Sequence, residues 1–195
     1  MFQIRIHGRG GQGVVSAAEI LSVAGFLDGK HAQAFPSFGS ERTGAPVMAF
    51  CRLSERPIRL REPVMNPDAL IVQDMTLLHQ VGLFEGLKEG GFLLLNTTRS
   101  LDELGIEEIR TKLGPGHVVT VPASELALEH LGRPLPNAAL LGGFAALTGT
   151  IRFESLEKAI LEKFPGKAGE ANVKAARAAF EAAKQAKEAA HARAN

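Results

Sequence analysis

Apolar and polar positions along this chain predict an alternation of strands and helices. Phe2, Ile4 and Ile6 alternate with Gln3, Arg5 and His7, the period-two signal of a strand that runs straight into Gly8-Arg9-Gly10-Gly11-Gln12-Gly13. Residues 14–28 place Val15, Ala18, Leu21 and Ala24 at three- and four-residue spacing, a helix stopped by Gly29. Strands are expected over residues 30–35 and 45–53. Residues 57–60 are expected to pair back on the second of these across Ser54-Glu55-Arg56, which makes this part antiparallel.

Two short apolar runs, Ala69-Leu70-Ile71-Val72 and Phe92-Leu93-Leu94-Leu95, read as strands buried on both faces, with residues 75–88 as the crossover helix between them. A further strand is predicted over residues 117–121, flanked by helices over 106–113 and 124–131. Beyond Pro136 only helices are predicted, over residues 138–148, 155–164 and 169–195. The last carries Val173, Ala176, Phe180 and Ala183 on one stripe. The expected fold is a three-layer α/β/α domain with a mostly parallel, Rossmann-like sheet over residues 1–165. Residues 166–195 form an amphipathic helix packed on the same domain.

Composition narrows the chemistry. Twenty-two basic against 21 acidic residues leave a net charge of +1, so no overall field favours nucleic acid or an anionic membrane, and any anion site is local. Tryptophan and tyrosine are absent, which argues against a stacking platform for single-stranded nucleic acid. A single cysteine, Cys51, can form no internal disulfide and cannot hold an iron–sulfur cluster alone. The six histidines show no metal-ligand spacing, and no serine elbow, cysteine–histidine pair or carboxylate dyad stands out, so neither a metal site nor a catalytic residue is expected. No stretch is long and apolar enough for a membrane span, and a strand follows Met1 at once, so the expected location is the cytoplasm.

Gly8, Gly10 and Gly13 match G-x-G-x-x-G in the setting that motif requires, after a strand and opening a helix. Backbone N–H groups there approach a phosphate closely, and the helix N-terminus adds partial positive charge. A nicotinamide site also expects an acid near the end of the second strand, where this chain has Lys30-His31-Ala32-Gln33-Ala34-Phe35. That omission counts against a stand-alone NAD(P)-binding enzyme, the alternative reading, and leaves a ligand turn or a purely structural one. A second polar loop, Ser37 to Gly44, offers Ser37, Ser40, Arg42 and Thr43 on the same sheet edge, as ligand donors or as a contact with another chain.

The run from Ile4 to Val15 and the run from Pro36 to Val47 together closely resemble the gamma subunit of pyruvate and related 2-oxoacid:ferredoxin oxidoreductases. The second run departs from that pattern at Ser40-Glu41-Arg42-Thr43, where relatives more often carry a proline and a second basic residue. The resemblance implies a multi-subunit enzyme that oxidatively decarboxylates a 2-oxoacid to acyl-CoA, with electrons passing to ferredoxin or a similar acceptor. It implies thiamine diphosphate and [4Fe-4S] clusters on alpha, beta and delta-type partners, none held by this chain alone, and an isolated chain without activity. It further implies that Gly8, Arg9, Gly10, Gly11, Gln12 and Gly13, with Ser37, Ser40, Arg42 and Thr43, contact the phosphates of coenzyme A. A pure assembly module is the other alternative.

Overall fold

The computed structural model describes residues 1–37, 43–80 and 82–194. Among the described residues six strands form one sheet: β1 (Phe2–Arg9), β2 (His31–Pro36), β3 (Pro46–Ser54), β4 (Ala69–Val72), β5 (Phe92–Asn96) and β6 (Val118–Val121), in the order β2-β3-β1-β4-β5-β6. β1, β4, β5 and β6 are parallel, while β3 runs antiparallel to both β1 and β2. β2 therefore points the same way as β1, and the loops after both strands leave from one edge. The helices are α1 (Val14–Leu27), α2 (Glu107–Leu113), α3 (Ala123–Leu131), α4 (Asn137–Thr148), α5 (Phe153–Lys163) and α6 (Lys167–Ala194).

The period of two divides the apolar residues between two layers. Ile4, Ile6, Ala69, Ile71, Leu94, Val119 and Val121 pack against the layer that holds α1, α4 and α6. Leu70, Val72, Leu93, Leu95 and Val118 face the other way, onto Ile106 and Leu113 and onto Leu78, Leu83 and Leu87. α4 is apolar nearly all round because it lies between the sheet and α6. The two helices touch through their backbones: a Cβ on Gly142 would stand 1.8 Å from the carbonyl oxygen of Ala176. Ala175, Ala179 and Ala183 continue that close approach along α6, all fully buried.

Two expected elements are absent, for related reasons. The crossover after β4 is no helix: a 3-10 turn, Met75–Leu77, gives way to turns in which Gly82 and Gly86 adopt left-handed φ of 81° and 73°. Its apolar residues still reach the core, which is why the spacing resembles a helix. The carbonyls of Leu83 and Glu85, unspent on a helix, accept from Arg5 Nη2 at 3.0 and 2.7 Å. Residues 57–60 form no strand either. This stretch covers the polar face of β1 and β3, where Leu60 O accepts from Gln33 Nε2 and Glu62 O accepts from Arg52 Nη2.

The polar face of β1 is thus buried. Arg52 is 1% exposed and spends its guanidinium on Gln3 Oε1, Gln33 Oε1 and Glu62 O, all neutral acceptors. Arg5 donates through Nε to His7 Nε2 at 3.0 Å, which leaves the neutral imidazole its proton on Nδ1. Burial, then the neighbouring Arg5 charge, push His7 down to about 3.

Candidate functional site

After β1 the chain enters the layer of α1, and after β4 it crosses to the opposite face. Neighbouring strands that diverge in this way leave a crevice at their carboxyl ends, where open α/β sheets bind ligands. The glycine turn lies at that point. Gly10 N donates to Ala45 O at 2.8 Å, Gly44 N donates to Gly10 O at 3.1 Å, and Gly10 and Thr43 form an isolated parallel bridge. Ser37 extends the β2–β3 ladder through its amide to Met48 O at 2.9 Å. The structure therefore joins Gly10 directly to Thr43 and sets Ser37 at the start of the same loop. Ser40 and Arg42 lie outside the described residues.

The turn is braced from β4. Arg9 donates through Nε and Nη2 to Thr76 Oγ1 and through Nη1 to Gly44 O. Gln12 Oε1 accepts from Arg9 N at 2.8 Å, and Gln12 Nε2 donates to Asp74 Oδ2 at 2.7 Å. Asp74 also caps the 3-10 turn through Thr76 N. Burial alone would raise the Asp74 carboxyl, but hydrogen bonds from Thr76 and Gln12, with Arg9 3.6 Å away, hold it below the ordinary carboxylate range. Arg9 and Gln12 are therefore largely engaged in shaping the loop. Asp74 and Thr76 were not among the predicted site residues; Asp-x-Thr directly after an apolar strand was the signal for them.

The glycines divide by role. A Cβ on Gly8 would come within 2.6 Å of Val14 Cγ2 and 3.1 Å of the side-chain oxygens of both Gln12 and Gln73, so Gly8 serves packing. Gly13 faces Asn137, the first residue of α4, in the same way. Gly11 is different: it is exposed, its φ of 94° is left-handed, and nothing lies within 4 Å of where its Cβ would be.

Between the turn, the start of α1 and the ends of β2 and β3 lies a cleft of about 400 Å³, lined by Gly10, Gly11, Gly13, Val15, Ser16 and Pro36 among others. α1 opens into it with no side-chain cap and no acidic residue in its first turn. The amides of Val14, Val15 and Ser16 find no acceptor among the described residues. Unpaired amides and the positive end of a 14-residue helix suit an anion, at roughly 0.3–1 kcal/mol for the dipole alone.

Gln73 lies on the far side of the turn. It is 1% exposed, and neither Nε2 nor Oε1 has a hydrogen-bond partner among the described residues. Its main chain is fixed, N donating to His7 O and O accepting from Asn96 Nδ2. No group of three metal-ligating side chains occurs among the described residues, and the fully buried Cys51 thiol is pushed far above its ordinary pKa by desolvation. Backbone amides at a helix N-terminus are donors of the kind that phosphate oxygens accept from.

Residues 3–182 match the family model described as pyruvate ferredoxin/flavodoxin oxidoreductase. The common gamma subunit of the pyruvate/ketoisovalerate oxidoreductases of Pyrococcus abyssi is 49% identical over 93% of this chain and 96% of its own length. The pyruvate synthase subunit PorC of Methanothermobacter thermautotrophicus is 51% identical over 93% and 95%. The crystal structure of the pyruvate oxidoreductase subunit PORC of Thermotoga maritima superposes with a TM-score of 0.79 at 38% identity, over 93% of this chain and 96% of that one. No helix among the described residues is long and apolar enough to cross a membrane. The chain belongs to the pyruvate ferredoxin/flavodoxin oxidoreductase family, as a gamma subunit of its multi-subunit enzymes.

Proposed function

We propose that this gamma subunit presents the cleft at the start of α1 to coenzyme A, and that the assembled enzyme converts a 2-oxoacid to acyl-CoA and carbon dioxide. In this reading the cytoplasmic assembly holds thiamine diphosphate and [4Fe-4S] clusters on alpha, beta and delta-type chains, and ferredoxin or a similar acceptor takes the electrons. The carrying observation is the uncapped first turn of α1, whose amides face a cleft beside Gly11. Coenzyme A supplies the thiol that receives the acyl group. The contribution of this chain is to bind and orient: Gly11, Gly13, Val14, Val15 and Ser16 offer backbone donors, while Arg9 and Gln12 hold the turn in shape. Ser37, Ser40, Arg42 and Thr43 of the loop after β2 belong to the proposed contact as well.

Ser16→Asp separates this role from a purely structural one. An acid in the first turn favours the helix but repels a phosphate. In the assembled complex it raises the apparent KM for coenzyme A about tenfold, the size of a 1.4 kcal/mol loss, while kcat at saturating coenzyme and subunit composition hold. An unchanged KM removes coenzyme A from this cleft. Loss of assembly instead makes the turn a subunit contact.

A further inference from the structure

At the opposite edge of the sheet, no strand pairs with the outer side of β6 among the described residues. Leu93 N donates to His117 O at 2.9 Å and Thr97 N donates to Val121 O at 3.0 Å. With the parallel register Leu93↔Val118 and Asn96↔Val121, these bonds turn His117, Val119 and Val121 toward β5. Val118 and Thr120 consequently aim their N–H and C=O groups away from the sheet, and neither amide finds an acceptor among the described residues.

That edge forms the floor of a groove of about 690 Å³ between α2 and the last turns of α6. Ala186, Ala189 and Ala190 make one wall and Arg110 and Thr111 the other. Arg110 is held by Asp102. Glu107 on α2 and Arg193 on α6 also line the groove, and neither makes an ion pair among the described residues. An unguarded strand edge is ordinarily protected by lysine, proline or a covering element. Here α2 and α6 stand to either side of it, and Val118 and Thr120 line the groove between them.

We infer that this groove docks an extended segment of a partner subunit, which adds to the sheet as a seventh strand beside β6. The outward groups of Val118 and Thr120 supply a donor and an acceptor at every second residue, the pattern that only another extended main chain matches. Alternate side chains of an added strand face opposite layers. Those toward α6 meet the alanine wall and Arg193, which select small or acidic residues; those toward α2 meet Glu107, which selects a basic one. The match to the family model ends at residue 182, within α6 and before the alanines of this wall. The inference is independent of the coenzyme cleft, which lies across the sheet.

Backbone hydrogen exchange tests it directly, comparing the full chain alone with the assembled oxidoreductase. The expected result is that the amides of Val118 and Thr120 exchange on the order of 100-fold more slowly in the assembly. Ala189→Arg, at an exposed position of α6, fills the groove; it leaves the Tm of the isolated chain unchanged and weakens partner binding about tenfold. Unchanged exchange of both amides on assembly overturns the inference, as does wild-type affinity for the partners in Ala189→Arg. Protection that rises with the concentration of the isolated chain assigns the edge to a second copy and overturns the partner-subunit occupant.

Discussion

Arg9 and Thr76 are joined twice: Nε and Nη2 of the guanidinium both donate to the one threonine hydroxyl, at 3.0 and 2.8 Å. The third guanidinium bond, to Gly44 O, makes Arg9 the strut between the segment after β4 and the loop after β2. Thr76→Val keeps the shape of the side chain and removes the acceptor. Stability in urea falls by about 1 kcal/mol, and the amides of Gly10 and Gly44 exchange faster. Unaltered exchange at both amides would mean that the β-bridge alone holds the turn.

Gly8 and Gly11 respond to the same substitution for opposite reasons. Alanine at Gly8 drives a methyl into Val14, and Gln12 and Gln73 leave it little room, a cost of about 3 kcal/mol. Alanine at Gly11 meets open space and incurs only the left-handed strain, about 1 kcal/mol. Thermal unfolding of the two variants gives the order, and a larger loss for Gly11→Ala contradicts this division of roles.

The two loops were legible because chemistry and spacing both mark them: three glycines after an alternating strand, and hydroxyl residues and an arginine after the next. Their common edge was legible too, but the bridge that joins Gly10 to Thr43 was not. The crossover after β4 was not. Leu77, Leu78, Leu83 and Leu87 are all buried, so their spacing satisfies a helix pattern, whereas Gly82, Gly86 and the acceptors required by Arg5 decide for turns. Nor does an Arg5-x-His7 alternation distinguish a solvated face from a covered one. What covers it, residues 57–67 and 82–86, carries no strand or helix period of its own.

His7 makes stability depend on pH. Its folded pKa, about 3, is below the ordinary 6.5, so the folded state resists a proton that the unfolded chain accepts. The contribution is complete above pH 6.5 and declines as pH falls toward 3, by at most about 1.4 kcal/mol per unit. His7→Gln keeps an acceptor for Arg5 and removes the titration. Denaturant melts at pH 7, 6 and 5 should show a shallower decline in the variant; parallel slopes would exclude His7 as the source.

Gln73→Met replaces an amide that has no hydrogen-bond partner among the described residues by an apolar side chain of the same length. Relief of the buried polar group stabilises the chain by about 1–2 kcal/mol. A lower Tm would show that the amide is held by bonds in the folded chain.

The backbone contact between Gly142 and Ala176 has a consequence for how this subunit can vary. α6 spans 28 residues, about 42 Å at helical rise, and is held along its length: Lys187 Nζ donates to Leu147 O of α4, and His191 lies against Gly116 just before β6. A helix held in this way behaves as a rigid rod, so a displacement under the Gly142 contact is carried to its last turns. Any side chain placed at Gly142 therefore shifts the alanine wall beside β6, although that groove is not lined by α4.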